Sequence, residues 1–294
     1  MLKYDSIQEL IERAREKKVK ISELVLADQA RELECSIEEL VEKMNENIRV
    51  MEEAISDSLK SPRKSATGLS GGDAIKLSEA MLAGKTIGGP MLDKILIKAL
   101  AMAESNACMG RIVAAPTAGS CGILPAVFLT AKEEGKISYS DMVMSMFTAG
   151  AIGMVIARRA TISGAEGGCQ AECGSASAMA AGALVEALGG TPEMVGHACA
   201  IALKNVLGLV CDPVAGLVEI PCIKRNAMGG ANALVAAELA LAGIDSVIPI
   251  DEVIDAMRAV GRLMVPSLRE TGEGGLAATP TGRELAEKIF GETG

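Results

Sequence analysis

Cys169, Cys211 and Cys222 stand in short glycine- or proline-bounded stretches, Gly167-Gly168-Cys169, Val210-Cys211-Asp212-Pro213 and Ile220-Pro221-Cys222. Thiolates presented from such turns are ligands for zinc or for an iron–sulfur centre. Their separations of 42 and 11 residues match neither a zinc finger nor a compact ferredoxin run. The competing reading is a cysteine that only fills space in a core. It suits Cys108 and Cys199, which fall inside helical patterns. It suits Cys211 and Cys222 less well, since each sits at a loop-to-helix boundary close to a proline. The first residues, Met1-Leu2-Lys3-Tyr4-Asp5-Ser6, carry no secretory pattern, so the eight cysteines, Cys35, Cys121 and Cys173 being the others, are expected as reduced thiols in a cytoplasmic protein.

Two further segments could bind an anion. Ser70-Gly71-Gly72-Asp73 leads into an expected helix, and its serine and glycines would leave N–H groups open to a carboxylate. Ala115-Pro116-Thr117-Ala118-Gly119-Ser120-Cys121-Gly122 again sets hydroxyls and glycines before an apolar helix. Each also reads as an ordinary turn and cap. Other chemistry is poorly supported. Gly84-Lys85-Thr86 lacks the phosphate-loop glycine, because Glu79 occupies its position. Gly272-x-Gly274-x-x-Ala277 has no strand before it, so a dinucleotide site is not expected. His197 is the single histidine, which leaves little for a Ser-His-Asp triad or a histidine-based zinc site. His197 and Lys204 lie seven residues apart on one expected helix face leading toward Cys211, which makes Lys204 a catalytic candidate.

The elements that must hold these residues are helical. The chain has 294 residues with 49% apolar side chains, 32 glycines and 16 methionines, the composition of a core of closely packed, small-residue helices. A net charge of −9 argues against nucleic acid, and only five aromatic residues argue against stacking on bases. The most apolar stretches are interrupted by Glu186, Asn232 and Glu238 and are rich in alanine and glycine, so no membrane span is expected. Residues 1–60 read as an N-terminal segment of two or three amphipathic helices, with Ser6 and Ser36 as caps, ahead of a larger unit over 61–294. Within that unit helices are expected over 73–82, 92–109, 122–134, 139–162, 175–188, 192–207, 222–242 and 251–264, followed by a glycine-rich loop and a last helix from Arg283. Only Val247–Ile250 hints at a strand, so the fold class is all-α.

Five segments, GLSGGDA, PTAGSCG, GCQAECG, LVCDPVAGLVEIPCIKRN and GLAATPTG, occur in order between residues 60 and 282. Together they resemble the signature segments of the α chain of bacterial iron–sulfur-dependent L-serine dehydratase. The resemblance implies a [4Fe–4S] cluster held by Cys169, Cys211 and Cys222, with Cys173 a near neighbour. It implies β-elimination of L-serine to pyruvate and ammonia, and a separate β chain that completes a heteromeric enzyme and carries its important histidine chemistry. Single-chain relatives close the fourth iron with a cysteine at their C-terminus, whereas this sequence ends Phe290-Gly291-Glu292-Thr293-Gly294.

Three thiolates on four irons leave one iron free to act as a Lewis acid on the serine hydroxyl. The substrate then needs fixed partners. Ser70, Gly71, Gly72, Asp73, Thr117, Ala118, Gly119 and Ser120 are the candidates, with Ser70, Thr117 and Ser120 also placed at the reacting groups. An L-cysteine desulfidase and a non-enzymatic iron–sulfur or thiol scaffold are the alternative functions. A pyridoxal-phosphate lyase is disfavoured, because no lysine lies in a strand-borne cofactor pattern.

Overall fold

A computed structural model describes residues 4–291; the last three residues, to which the argument about a terminal cysteine extends, lie outside the described residues. The elements follow from local chemistry. Ser6 accepts a hydrogen bond from the Glu9 amide and starts α1 (Ile7–Lys17), which is followed by α2 (Ile21–Leu33). Ser36 forms a capping box with Glu39 and starts α3 (Ile37–Lys60). Then come α4 (Asp73–Leu82), α5 (Gly89–Ala107), α6 (Ile123–Glu133) and α7 (Tyr139–Arg159), the last begun by a Ser138–Asp141 capping box. A single turn, α8 (Gly164–Gly167), precedes α9 (Ser175–Ala187). Thr191 caps α10 (Pro192–Lys204), which carries proline in its first turn. The chain continues through α11 (Cys222–Leu241) and α12 (Ile250–Leu263) to α13 (Pro280–Phe290).

Among the described residues there is no strand, and Cys211 paired with Arg269 is an isolated bridge. The expected all-α class therefore holds. The strand hinted at over Val247–Ile250 does not form: Val247 adopts a positive φ of 66°, and Pro249 already caps α12. The final helix begins at Pro280 rather than Arg283, because Thr279 accepts from the Gly282 amide and proline suits the first helical position. A five-residue π-helical turn over Gln170–Gly174 precedes α9 and is not legible in the sequence.

Helix α9 (SASAMAAGALVEA) lies at the centre and is buried on nearly every side, against α7, α10, α11 and α6. Its small side chains are what allow this. A methyl on Gly182 would overlap Cys199 Sγ and lie 3.0 Å from Ile152 Cδ1, so the α9–α10 approach depends on glycine there. Cys199 is fully buried and its thiol donates to the Ala178 carbonyl at 3.3 Å, as expected of a core cysteine. Cys108 is instead half-buried at the end of α5, with its thiol turned to the Arg63 carbonyl. Helix α7 is long and apolar enough to cross a membrane by length and composition, but 67% of that stretch is buried inside the protein.

Buried carboxylates tie the first helices to the rest. Helix α2 has no capping bond from its own N-cap side chain; Glu186, on α9, accepts from the Ile21 amide at 2.7 Å and the Ser22 amide at 3.1 Å. Asp251 of α12 accepts from Ile7 and Gln8 at the start of α1, both at 3.0 Å. Glu104 of α5 does the same for α4, whose N-cap is Gly72. In each case the negative charge meets the positive end of a helix and satisfies amides that have no partner within it.

Candidate functional site

Three segments bring cysteines together. Cys169 immediately precedes the π-helical turn, which sets Cys173 four residues on beside it. The intervening Gln170 is fully buried and fixes two loops at once: its amide nitrogen donates to the Gly167 and Met257 carbonyls, and its oxygen accepts from the Gly208 amide at 2.9 Å. The chain then reaches Cys211, whose amide donates to the Leu268 carbonyl and whose carbonyl accepts from Glu270. Cys222 opens α11 after a cis proline at Pro221. All four thiols are buried, with Cys222 the most exposed at 7%.

These sulfurs are neighbours electrostatically. Burial pushes the Cys222 thiol up to about 12, and the Cys169 charge adds to the effect. Burial likewise raises Cys211, again with Cys169 and Cys222 contributing. Cys169 goes the other way: the hydrogen bond from Cys173 and the positive charge of Arg225 hold its thiol below the usual range against the cost of burial. Cys173, which donates that bond and is enclosed, is raised well above an ordinary thiol.

Carboxylates border the sulfurs. One oxygen of Glu172 lies 3.9 Å from Cys211 Sγ, and Glu172, Cys211 and Glu270 each present a ligand atom within 4.8 Å of the others. Burial raises the Glu172 carboxyl, while the hydrogen bond from Thr117 opposes the rise. Gly164 leaves the room this needs, since a methyl there would sit 2.7 Å from Glu172 Oε2 and 3.0 Å from Cys211 Sγ. Cys211 with Glu172 and Glu270 forms a group able to hold a metal ion, and the buried Cys169 and Cys222 thiols lie near enough to act on Cys211 electrostatically, so the donors here are of the kind a soft metal or an iron–sulfur group takes.

Both hydroxyl-bearing loops reach this region through an acidic residue. Thr117 Oγ1 donates to Glu172 Oε1 at 2.9 Å and lies 3.0 Å from Ser120 Oγ, which is fully buried. Gly119 is held by Asn226, whose amide nitrogen donates to its carbonyl at 2.7 Å and to the Cys222 carbonyl at 3.0 Å. The Ala118 carbonyl accepts from Asn106. On the other side Ser70 Oγ donates a short hydrogen bond to Glu219, and Thr67 Oγ1 donates to the second oxygen of Glu219 at 2.9 Å. Glu219 is three residues from Cys222, and Val218 beside it approaches Gly119. The segment 217–222 therefore runs between the two hydroxyl loops.

Other expected residues are engaged elsewhere. The first amides of α4 do not stand open for a substrate carboxylate: Asp73 N and Ala74 N donate to Glu104 Oε1 at 2.6 and 3.3 Å. The Asp73 side chain faces Lys76 and Lys224 at the surface. Gly71 is required by the backbone, with a φ of 112° and the Arg63 carbonyl where a methyl would go, and its own carbonyl accepts from Lys64. Gly72, at φ 88°, makes the turn into α4. Lys204 Nζ donates to the Ser246 carbonyl at 2.5 Å. His197 Nδ1 accepts from the Ser246 amide, and its other nitrogen faces Asp245. Both side chains brace the loop before α12, so the shared helix face read from their spacing serves packing of that loop.

Sequence reasoning missed Glu172, Glu219, Gln170, Asn226 and Arg225, although all five lie within the cysteine-bearing signature segments. The available signal was an acidic residue three positions from a ligand-type cysteine, at Glu172 and at Glu219. Glu104 had none beyond being a carboxylate within the apolar run ALAMAE at the end of α5.

The described residues thus form an all-α chain in which buried thiols from three segments lie beside carboxylates and hydroxyls, with Glu172, Cys211 and Glu270 placed as a group able to hold a metal ion. A family model described as serine dehydratase alpha chain matches residues 16–277. The chain is 54% identical over 288 residues to a probable L-serine dehydratase alpha chain of Bacillus subtilis, covering 98% of this chain and 96% of that one. It is 46% identical over 288 residues to the L-serine dehydratase alpha chain of Peptoniphilus asaccharolyticus, covering 98% and 99%. Against the L-serine dehydratase TdcG of Escherichia coli it is 46% identical over 189 residues, 64% of this chain and 42% of that longer one. The chain belongs to the serine dehydratase alpha chain family.

Proposed function

We propose that this chain is the cofactor-bearing α part of an L-serine ammonia-lyase, which converts L-serine to pyruvate and ammonia by β-elimination together with a β chain. The observation that carries this reading is the buried Cys211 thiol grouped with Glu172 and Glu270, with the buried Cys169 and Cys222 thiols close enough to act on it electrostatically, in a chain of this family. In this reading the three thiolates hold a [4Fe–4S] cluster. When bound, the cluster supplies a Lewis acid at the iron without a cysteine, able to polarise the departing hydroxyl of serine.

The protein's own groups orient the substrate. Thr117 on one side and Ser70 and Thr67 on the other present hydroxyls whose positions are fixed by Glu172 and Glu219, and the buried Ser120 hydroxyl supports Thr117 from behind. A hydroxyl already committed to a carboxylate has its remaining lone pairs oriented, so it receives a substrate N–H at little further ordering cost. The substrate carboxylate is matched to donors in the Thr117–Ser120 turn, since Glu104 occupies the first amides of α4. The base that takes the Cα proton is assigned to the β chain, because His197 and Lys204 are spent on the loop before α12. The relative from Escherichia coli is consistent with a divided enzyme, its longer chain extending well beyond the region matched here.

Anaerobic reconstitution with iron and sulfide, followed by spectroscopy with and without L-serine, tests the reading. Cluster uptake with a signal that shifts on adding L-serine is expected, and the reconstituted chain mixed with its β chain should release pyruvate from L-serine faster than from L-cysteine. No uptake, or a coordinatively complete cluster blind to serine, overturns it. A narrower result is expected of Ser70→Ala. Loss of a hydroxyl that accepts from the charged substrate ammonium costs roughly 1.5–3 kcal/mol, so KM should rise about tenfold to a hundredfold while the cluster's visible absorbance stays intact. Loss of the absorbance instead would assign the loop to folding.

A further inference from the structure

We propose that Arg225 is a positioning residue for the cluster site: its guanidinium fork fastens the Cys211 loop to the helix that begins with Cys222 and sets its charge against the Cys169 sulfur. This rests on the reading of the three cysteines as cluster ligands and adds the device that brings them into register.

The geometry is specific. Arg225 lies three residues after Cys222 on α11, so both side chains share a helix face. One terminal nitrogen donates to the Val210 carbonyl at 2.7 Å, and the other donates to Asp212 Oδ1 at 2.8 Å. Val210 and Asp212 are the residues on either side of Cys211, so the two bonds straddle that ligand. The pair is enclosed, with side-chain exposures of 14% for Arg225 and 5% for Asp212. Asp212 extends the connection, because its second oxygen accepts from the Leu276 amide at 2.8 Å. A methyl on Gly275 would overlap the Asp212 carboxylate, so glycine there lets that loop close on it. The same guanidinium is the cationic group beside the Cys169 thiol.

Chemistry explains why arginine occupies the position. Three thiolates and a cluster place negative charge in a buried region that Glu172 and Glu270 already border. Unpaired charge there is costly, and a buried cation that is itself hydrogen-bonded offsets it. Lys224, next to Arg225, cannot serve, since it is 71% exposed and faces Asp73. A planar fork reaches a carbonyl and a carboxylate at once, whereas a lysine ammonium in its place is a point charge without that fixed spacing. Hydrogen bonds and charge near cluster sulfurs also set the reduction potential.

The test uses the full chain reconstituted anaerobically, with Arg225→Lys and Arg225→Gln beside wild type, and two readouts: iron released to a chelator over time and the cluster's reduction potential. Outer residues that orient metal ligands are typically worth about 10–100-fold in metal affinity. Both variants are expected to lose iron at least about tenfold faster than wild type. The potential should fall in Arg225→Gln and return toward wild type in Arg225→Lys, which restores the charge but not the fork. Iron release within twofold of wild type in both variants overturns the proposal. So does faster release with an unchanged potential in Arg225→Gln, which would make the residue merely structural, and so does unfolding of both variants before iron is added. If the wild-type chain takes up no cluster, the reading of the cysteines fails first and this inference falls with it; a loaded wild type with unaffected variants sinks the inference alone.

Discussion

Cys211→Ser is expected to abolish cluster retention and to lower turnover of the reconstituted enzyme by about a thousandfold or more. Lewis-acid stabilisation is worth several kcal/mol, and each 1.4 kcal/mol or so is tenfold in rate. The serine hydroxyl is a poor replacement because its oxygen is a harder ligand than sulfur and stays protonated at neutral pH. Cys211 also sits where the polypeptide is most constrained, bridged to Arg269 and straddled by the bonds of Arg225. A substitution there therefore leaves the loop in place and removes only the donor atom. The matched control is Cys199→Ser, a fully buried cysteine on α10 that contacts a backbone carbonyl of α9. It should cost some stability but keep the cluster and its spectrum. Equal cluster content in the two variants, measured by iron and sulfide analysis, would remove Cys211 from the ligand set.

The second large effect is on stability. Glu186→Ala deletes the acceptor for two amides of α2 and for Thr148 Oγ1, which donates at 2.6 Å. Glu186 is 4% exposed, so water does not readily replace the lost carboxylate. Each buried donor left without a partner costs about 1–3 kcal/mol, and the vacated volume adds to that. A total of about 4 kcal/mol is expected, which for a chain of this size lowers Tm by roughly 10 °C. Glu186→Gln keeps one acceptor oxygen but turns an NH₂ group toward amide donors, so its loss should be intermediate. Thermal unfolding followed by circular dichroism reads both. A melting point for the alanine variant within a degree or two of wild type would show that α2 does not depend on this carboxylate for its start.

These expectations divide according to what local sequence encodes. The helices expected over 73–82 and 175–188, and the start of the one at 192, were legible because caps and breakers are neighbours in the chain, as with Thr191 and Pro192; the last of these ends at Lys204 rather than 207. The start of α4 was legible in position yet misleading in use. Ser70-Gly71-Gly72 reads as an open anion site until Glu104, thirty-one residues away, is seen to fill it. Lys204 failed for a related reason: periodicity places it on a face, but only the path of residues 245–248 shows what that face meets.

The cysteines mark the boundary most clearly. From residue types and turn-forming neighbours alone, Cys169, Cys211 and Cys222 were distinguishable from the core cysteine Cys199, since turns and helix starts are local events. The all-α class followed as well, because caps and the near absence of β-branched runs depend on neighbours in the chain. What tertiary structure decided is the company those thiols keep. Glu172 beside Cys211, Glu219 holding Ser70, and Arg225 straddling the Cys211 loop all depend on helices crossing at particular heights. Such crossings are set by how closely α9 admits its neighbours, where glycine at positions such as Gly182 lets side chains and backbones meet. Contacts between distant segments arise from that packing summed over the whole core, and no short stretch of sequence contains it.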